Sequence, residues 1–372
     1  MKKEIPTNSF VFKQMEELAP LQKAYSWDNV GLQIGSYNKK AEKIMITLDV
    51  LESVADEAAD KDVDLIIAHH PLLFKPLKRI NLDTPKGRTI SKLLRHDITV
   101  YAAHTNLDVV EGGVNDMLSE RLELVSSAPL VTIGNEKLYK YAVHVPVDYV
   151  NQLKQVIGDA GGGTQGDYTH CSFEIEGTGN FKPVQGADPF IGKVGEITSV
   201  DEVKIEALVE ESKLNRVVTA VQEAHPYEEP AFDIIPLANE GKTFGLGRIG
   251  EIEHHVTLEE FTEKVKEKLN VSYVRIVGDL KKKVEKVAVV GGSGGKYISD
   301  AKRAGADVYI TGDVGFHEAQ EAMEMGLAVI DAGHYIEEIM KENIRNYLKV
   351  KLSGYDVEII TSGKNTDPFR YF

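Results

Sequence analysis

A chain of 372 residues, 42% hydrophobic and 27% charged, is too long for one ordinary domain and has apolar material for two or three cores. Its single cysteine, Cys171, excludes an intrachain disulfide and a Cys-rich zinc or iron–sulfur site, which fits a reducing, cytoplasmic compartment. A formal net charge of −15 disfavours nucleic acid, and no run approaches the ~20 apolar residues of a membrane span, so small molecules or proteins are the expected partners.

The opening MKKEIPTNSF has no apolar stretch behind its lysines and does not read as a signal peptide. Helical periodicity covers Phe10 to Glu17. KIMITLDV (43–50) reads as a buried strand, SVADEAADKD (53–62) as an amphipathic helix and DLIIAHH (64–70) as a second strand. Helix TISKLLRH (89–96), strand ITVYAAH (98–104) and helix VNDMLSERL (114–122) follow. Strands spaced by helices predict a mostly parallel sheet with helices on both faces.

The middle of the chain has a different rhythm. Strand LYKYAVHVP (138–146), helix VDYVNQLKQVIGDAG (147–161), strand YTHCSFEIE (168–176), strand material around 193–209, helix ESKLNRVVTAVQEA (211–224) and strand PAFDIIPL (230–237) give β-α-β-β-α-β. That is the order of a ferredoxin-like unit. Residues 128–236 hold 17 acidic and 8 basic side chains, nine of the fifteen excess negative charges. They read as a domain inserted into an α/β domain made of residues 1–127 and 237–372. In the last third, KVAVVGG (286–292), DVYITGD (307–313), LAVIDAGH (327–334) and VEIITSG (357–363) are strand-like, with helices between. KKK at 281–283, with Lys286 nearby, reads as a solvated surface turn.

Three apolar strands run into histidine: LIIAHH delivers His69 and His70, VYAAH delivers His104, and AVIDAGH delivers His334. Ligands of parallel α/β sheets bind beyond the carboxyl ends of the strands, so these side chains would crowd onto one edge. Each of two groups has a carboxylate four residues on, Asp108 after His104 and Glu338 after His334, a spacing that shares one face of a helical turn. Imidazoles with carboxylates and no nearby cysteine make an N/O metal site that suits Zn, Mn or Fe better than Mg. His104 reads equally well as a ligand or as an orienting partner of one. VVGGSGG (289–295) is either a phosphate-cradling loop or a tight strand-to-helix turn, and it lacks the ending of a P-loop. TGDVGFHEA (311–319) places Asp313 and His317 at another strand end, for either a rim function or capping of the following helix, and Cys171 reads as strand packing.

The stretches WDNVGLQIG (27–35), IIAHHPLLF (66–74), YAAHTNLD (101–108), the GGSGG and TGD elements and DAGHYIEE (331–338) resemble the NGG-interacting-factor-three-like family, whose bacterial members carry the description GTP cyclohydrolase 1 type 2 homologue. The resemblance covers both chain ends. It implies two divalent metal ions per chain on His69, His70, Asp108, His334 and Glu338, a PII- or CutA-like insert, and a toroidal homohexamer. It also implies a metal-dependent hydrolase whose substrate is a nucleotide or a related small metabolite. With GTP, hydrolysis would open the imidazole ring at C8 and release formate, with His104 or His317 transferring a proton. The alternative is a non-enzymatic ring protein that senses metal or a metabolite through its acidic insert, or acts as a scaffold.

Overall fold

The computed structural model describes residues 3–370. The chain forms two units, Met1–Ile133 with Phe244–Phe372 (unit 1) and Gly134–Thr243 (unit 2). Unit 1 begins with α1 (Asn8–Leu18), β1 (Gly31–Ile34), β2 (Lys43–Thr47), α2 (Glu52–Asp60) and β3 (Leu65–Ala68). It continues through α3 (Pro85–Arg95), β4 (Thr99–Ala102), the single turn α4 (Thr105–Val109) and α5 (Val114–Arg121). Strands β3 and β4 are buried at every position, which is why LIIA and TVYA read as unbroken apolar runs without alternation.

The chain leaves unit 1 along β5 (Val125–Pro146) and returns along β8 (Phe232–Thr257). Between them lie α6 (Val150–Asp159), β6 (Phe173–Phe181), β7 (Thr198–Glu210) and α7 (Glu211–Ala224). The boundaries expected at 127/128 and 236/237 fall inside these two long strands, of which the sequence reading picked out only the apolar stretches. Within unit 2 the strand order is β6-β7-β5-β8. Tyr141, Val143 and Val145 of β5 and Val203, Ile205, Ala207 and Val209 of β7 alternate onto one face, where Leu153 and Ile157 of α6 and Val217 and Val221 of α7 cover them. Cys171 lies before β6 rather than in it, half-buried, with its amide bonded to the Gly163 carbonyl.

Unit 1 resumes with α8 (Leu258–Leu269), which opens on a capping box between Thr257 and Glu260. There follow β9 (Arg275–Val277), β10 (Lys283–Ser293), α9 (Ile298–Arg303), β11 (Val308–Gly312), α10 (Phe316–Glu324) and β12 (Ala328–Asp331). A 3₁₀ helix at His334–Ile339, α11 (Met340–Lys351) and β13 (Glu358–Thr361) complete it. One sheet has the order β1-β4-β3-β2-β13, with the β1–β4 pair antiparallel and the others parallel. In the other, the unit 1 strands run β8-β10-β11-β12-β9, parallel only at β10–β11–β12. Both sheets are therefore mixed: the first is mostly parallel, as expected, with one antiparallel edge, while the second is parallel only at its centre; the antiparallel edges β1 and β9 are four and three residues long and carry little periodic signal.

Alternation on the first sheet sorts its residues into two cores. Met45, Ile66 and Val100 pack with Val54, Ala55 and Ala58 of α2 and Ile90 and Leu93 of α3. Ile44, Ile46, Leu65, Ile67 and Tyr101 face the larger core, shared with Val287, Val289, Val308 and Ile310 of the second sheet. Truncating a fully buried residue of this set, such as Ile67→Ala, removes about 2–5 kcal/mol.

Candidate metal centre

The carboxyl ends of both sheets deliver the polar residues. Register pairs Ala68 of β3 with Ala102 of β4, so the next residues, His69 and His70 on one side and Ala103 and His104 on the other, leave the sheet together. Thr311 of β11 pairs with Asp331 of β12, and two residues later Gly333, at φ +82°, turns the chain into His334. Gly312 permits the approach of these two segments, because a Cβ there would lie 2.6 Å from the His334 backbone nitrogen.

Three side-chain groups with mutual ligand-atom separations within 4.8 Å result: His69, His70 and His104; His70, His334 and Glu337; and His69, Asp108 and Glu337. Glu337 is common to the last two. Its Oε2 lies 3.1 Å from His70 Nε2, 3.2 Å from His334 Nε2 and 3.9 Å from His69 Nε2. Sequence spacing selects Glu338 from this segment, and the structure places Glu338 outside the cluster. The segment is a 3₁₀ helix of three residues per turn, so His334 is eclipsed by the residue at +3 and not at +4. Glu338 instead ion-pairs with Lys341 at 2.8 Å, its side chain 40% exposed. The Gly-rich stretch makes room for Glu337: a Cβ at Gly292, φ +63°, would lie 2.5 Å from Glu337 Oε1.

Each imidazole is held from behind. His69 Nδ1 donates to the Ala103 carbonyl at 2.8 Å, which leaves Nε2 as the lone-pair atom. His70 Nδ1 meets Asp49 Oδ1 at 2.7 Å, and Asp49 Oδ2 accepts from the Thr366 hydroxyl. His334 Nδ1 meets Asp313 Oδ2 at 2.7 Å. His104 Nδ1 lies 3.0 Å from both oxygens of Asp28, and Oδ2 also accepts from the amide and hydroxyl of Thr105. Carboxylates or carbonyls that fix the outer ring nitrogen are the usual support of metal-binding histidines. Asp28, Asp49 and Asp313 were not selected for this part by sequence reasoning. Asp49 and Asp313 did carry a signal, because each follows an apolar strand just as the histidines do.

Charge in the cluster is strongly perturbed. Burial pushes Asp108 up, to about 7, and the nearby Glu337 carboxylate adds to the rise. Burial also opposes ionisation of Glu337, but the surrounding imidazoles, the hydrogen bond with His334 first, outweigh it and hold the carboxyl well below the usual range. His70 is raised to about 10: desolvation works against its charge, and Asp49 and Glu337 overcome that. His334 is raised to about 9, first by its hydrogen bond with Glu337. Burial of Asp28 is likewise overridden by His104 and Thr105, which bring it down to about 2.

The donor set fits a cation. His69 Nε2 and Asp108 Oδ1, 3.5 Å apart, are buried with no hydrogen-bond partner, a costly arrangement unless a further group joins them. All the donors are nitrogen or oxygen, and Cys171 belongs to unit 2. Of the remaining expected site residues, His104 joins His69 and His70. His317 does not reach the three groups; it is exposed on α10, its Nδ1 3.1 Å from Gln320 Oε1.

The family model of Duf34/NIF3 (NGG1p interacting factor 3) matches residues 7–368. A Bacillus subtilis protein named GTP cyclohydrolase 1 type 2 homolog is 50% identical over 363 residues, 97% of each chain. One of the same name from Halalkalibacterium halodurans is 45% identical over 370 residues, 99% of this chain and all of the relative. A solved Bacillus cereus protein related to NIF3 superimposes with a TM-score of 0.90 at 44% identity, covering 99% of this chain and 100% of that one. The matched span contains every residue of the cluster, and the chain belongs to the Duf34/NIF3 family.

Proposed function

We propose that this chain is a metal-dependent hydrolase holding two divalent ions, one on His69, Asp108 and Glu337 and one on His70, His334 and Glu337, with Glu337 shared. The observation that carries the reading is the pair of buried, partnerless atoms, His69 Nε2 and Asp108 Oδ1, beside a carboxylate already ringed by three imidazoles. Zn, Mn or Fe suits these donors better than Mg. Bound there, the ions would supply Lewis-acid activation of water and of an anionic substrate oxygen.

The protein's own groups do the rest. Asp49, Asp313 and the Ala103 carbonyl keep three imidazoles turned inward. His104 has Nδ1 committed to Asp28, so Nε2 is the atom it can offer for moving a proton beside His69 and His70. The names of the relatives point to GTP or another nucleotide as substrate. The β-α-β-β-α-β order and the β6-β7-β5-β8 arrangement support a ferredoxin-like insert of PII or CutA type, and we place ring assembly as a homohexamer in the cytoplasm within the same reading.

The test is turnover of GTP and a panel of nucleotides and phosphorylated metabolites by metal-loaded protein. The expected result is release of formate, phosphate or another hydrolysed product by the wild type, and not by His70→Ala or Glu337→Gln. No turnover, with ligand binding mapped to unit 2, would replace the hydrolase with the sensing protein.

A further inference from the structure

Trp27 is the only tryptophan of the chain, and 56% of it is exposed. Its ring stacks on Tyr25 at 5.6 Å and meets Phe74, itself 40% exposed, edge-on at 5.9 Å. The centres of Trp27 and Phe74 lie 6.4 and 6.2 Å from that of His104, so this aromatic wall adjoins the metal cluster. It faces a cleft of about 890 Å³ lined also by Asn29, Lys78, Arg79 and Ile80, within the size range of small-molecule sites.

The wall is tied to the cluster through Asp28 and held in place by its neighbours Asn29 and Gln33. Asp28 orients His104, while Asn29 Nδ2 donates to the Leu73 carbonyl at 2.7 Å, next to Phe74. The buried Gln33 amide closes the tie, accepting from the Leu73 amide and donating to the Asn29 carbonyl. Trp27 and Phe74 are thus fixed relative to each other and to His104, which a merely solvated loop would not need. Directly after Phe74 come Lys75, Lys78 and Arg79, all exposed and without an ion pair or hydrogen bond among the described residues. In a chain of net charge −15, three unpaired cations in five positions form a local exception.

We propose that this cleft is the recognition half of the substrate site: a planar heterocycle stacks on Trp27 and Phe74, and its phosphates meet Lys78 and Arg79. The inference rests on the metal cluster being the reaction centre, and it makes the substrate an aromatic, anionic molecule, a nucleotide, with its ring beside His104. Aromatic faces take any base, so Trp27 and Phe74 set the class of ligand and not the identity of the base.

Tryptophan emission reports on Trp27 alone, which gives a readout independent of turnover. Metal-loaded protein is titrated with GTP, guanosine and ribose 5-phosphate. GTP and, more weakly, guanosine are expected to quench the emission saturably, and ribose 5-phosphate is expected not to. Lys78→Ala with Arg79→Ala should weaken GTP about tenfold or more and leave guanosine unchanged. Trp27→Leu, an exposed substitution whose folding circular dichroism verifies, should weaken both ligands by about tenfold in calorimetry. Quenching that persists in Glu337→Gln after metal loss upholds the cleft even if the hydrolase reading fails. GTP binding of equal strength in wild type and Trp27→Leu, with emission unchanged, overturns the cleft and leaves the metal reading standing. Emission that answers to protein dilution and not to GTP also overturns it, assigning the aromatic wall to contact between copies of the chain.

Discussion

His69, Asp108 and Glu337 form the inner half of the cluster, and His70 with His334 the outer half. The side chains of the inner three are 0%, 13% and 5% exposed, and two of their polar atoms have no partner. The outer imidazoles are 23% and 39% exposed, and both ring nitrogens of each already meet a carboxylate. The inner half thus keeps two buried polar atoms unsatisfied, while each outer imidazole is paired with carboxylates through both of its nitrogens. Burial and satisfaction differ between them, and two ions held as proposed should therefore differ in how tightly they are bound.

The largest effect should come from breaking the inner half. Asp108→Asn replaces the charged donor facing His69 and should cost the inner ion more than about 100-fold in affinity while the outer ion is retained, as read by calorimetric titration with Zn²⁺. Equal loss of both ions would erase the distinction. A smaller effect should follow from removing support behind the outer half. Asp49→Asn or Asp313→Asn should weaken one ion by about 10–100-fold and leave the other unchanged, because each carboxylate orients one outer imidazole.

The mildest effect concerns pH. His70 and His334 have their titrations raised from the ordinary 6.5 to about 10 and about 9, so their contribution to the metal-free fold is complete below pH 6.5 and is lost as pH rises through those values. Asp108, raised to about 7, acts in the same direction, since ionising it while buried disfavours the fold. The Tm of chelator-treated protein should therefore fall between pH 6.5 and 10. The metal-loaded protein should fall less, because bound cations keep the imidazoles neutral and the carboxylates paired. Parallel curves for the two forms would contradict this account.

Much of this site could be read from residue order, and the places where reading failed have physical causes. Apolar strands that end in His69, His70, His104 and His334 are legible, since LIIA, TVYA and AVID are short, buried and abruptly terminated. The helical periodicity of ESKLNRVVTAVQEA covers the same residues, Glu211–Ala224, that form α7. An α-helical period points to Glu338 where the chain forms a 3₁₀ turn that brings in Glu337, and one residue of phase exchanges a buried carboxylate for an exposed one. Asp28 was missed as a support because it lies 76 positions from His104, with only the folded sheet to bring them together. The polar ends of β5 and β8 went unread because exposed strand residues carry no regular apolar alternation.

Glu337 joins the two halves, and metal content is the measurement that tests its part most directly. Elemental analysis of purified wild-type, Glu337→Gln and Glu338→Gln proteins should give close to two ions per chain for the wild type and for Glu338→Gln, and a loss of both for Glu337→Gln. Retention of two ions by Glu337→Gln, with loss in Glu338→Gln, would contradict the shared-carboxylate account and return the ligand to the residue that helical spacing selects.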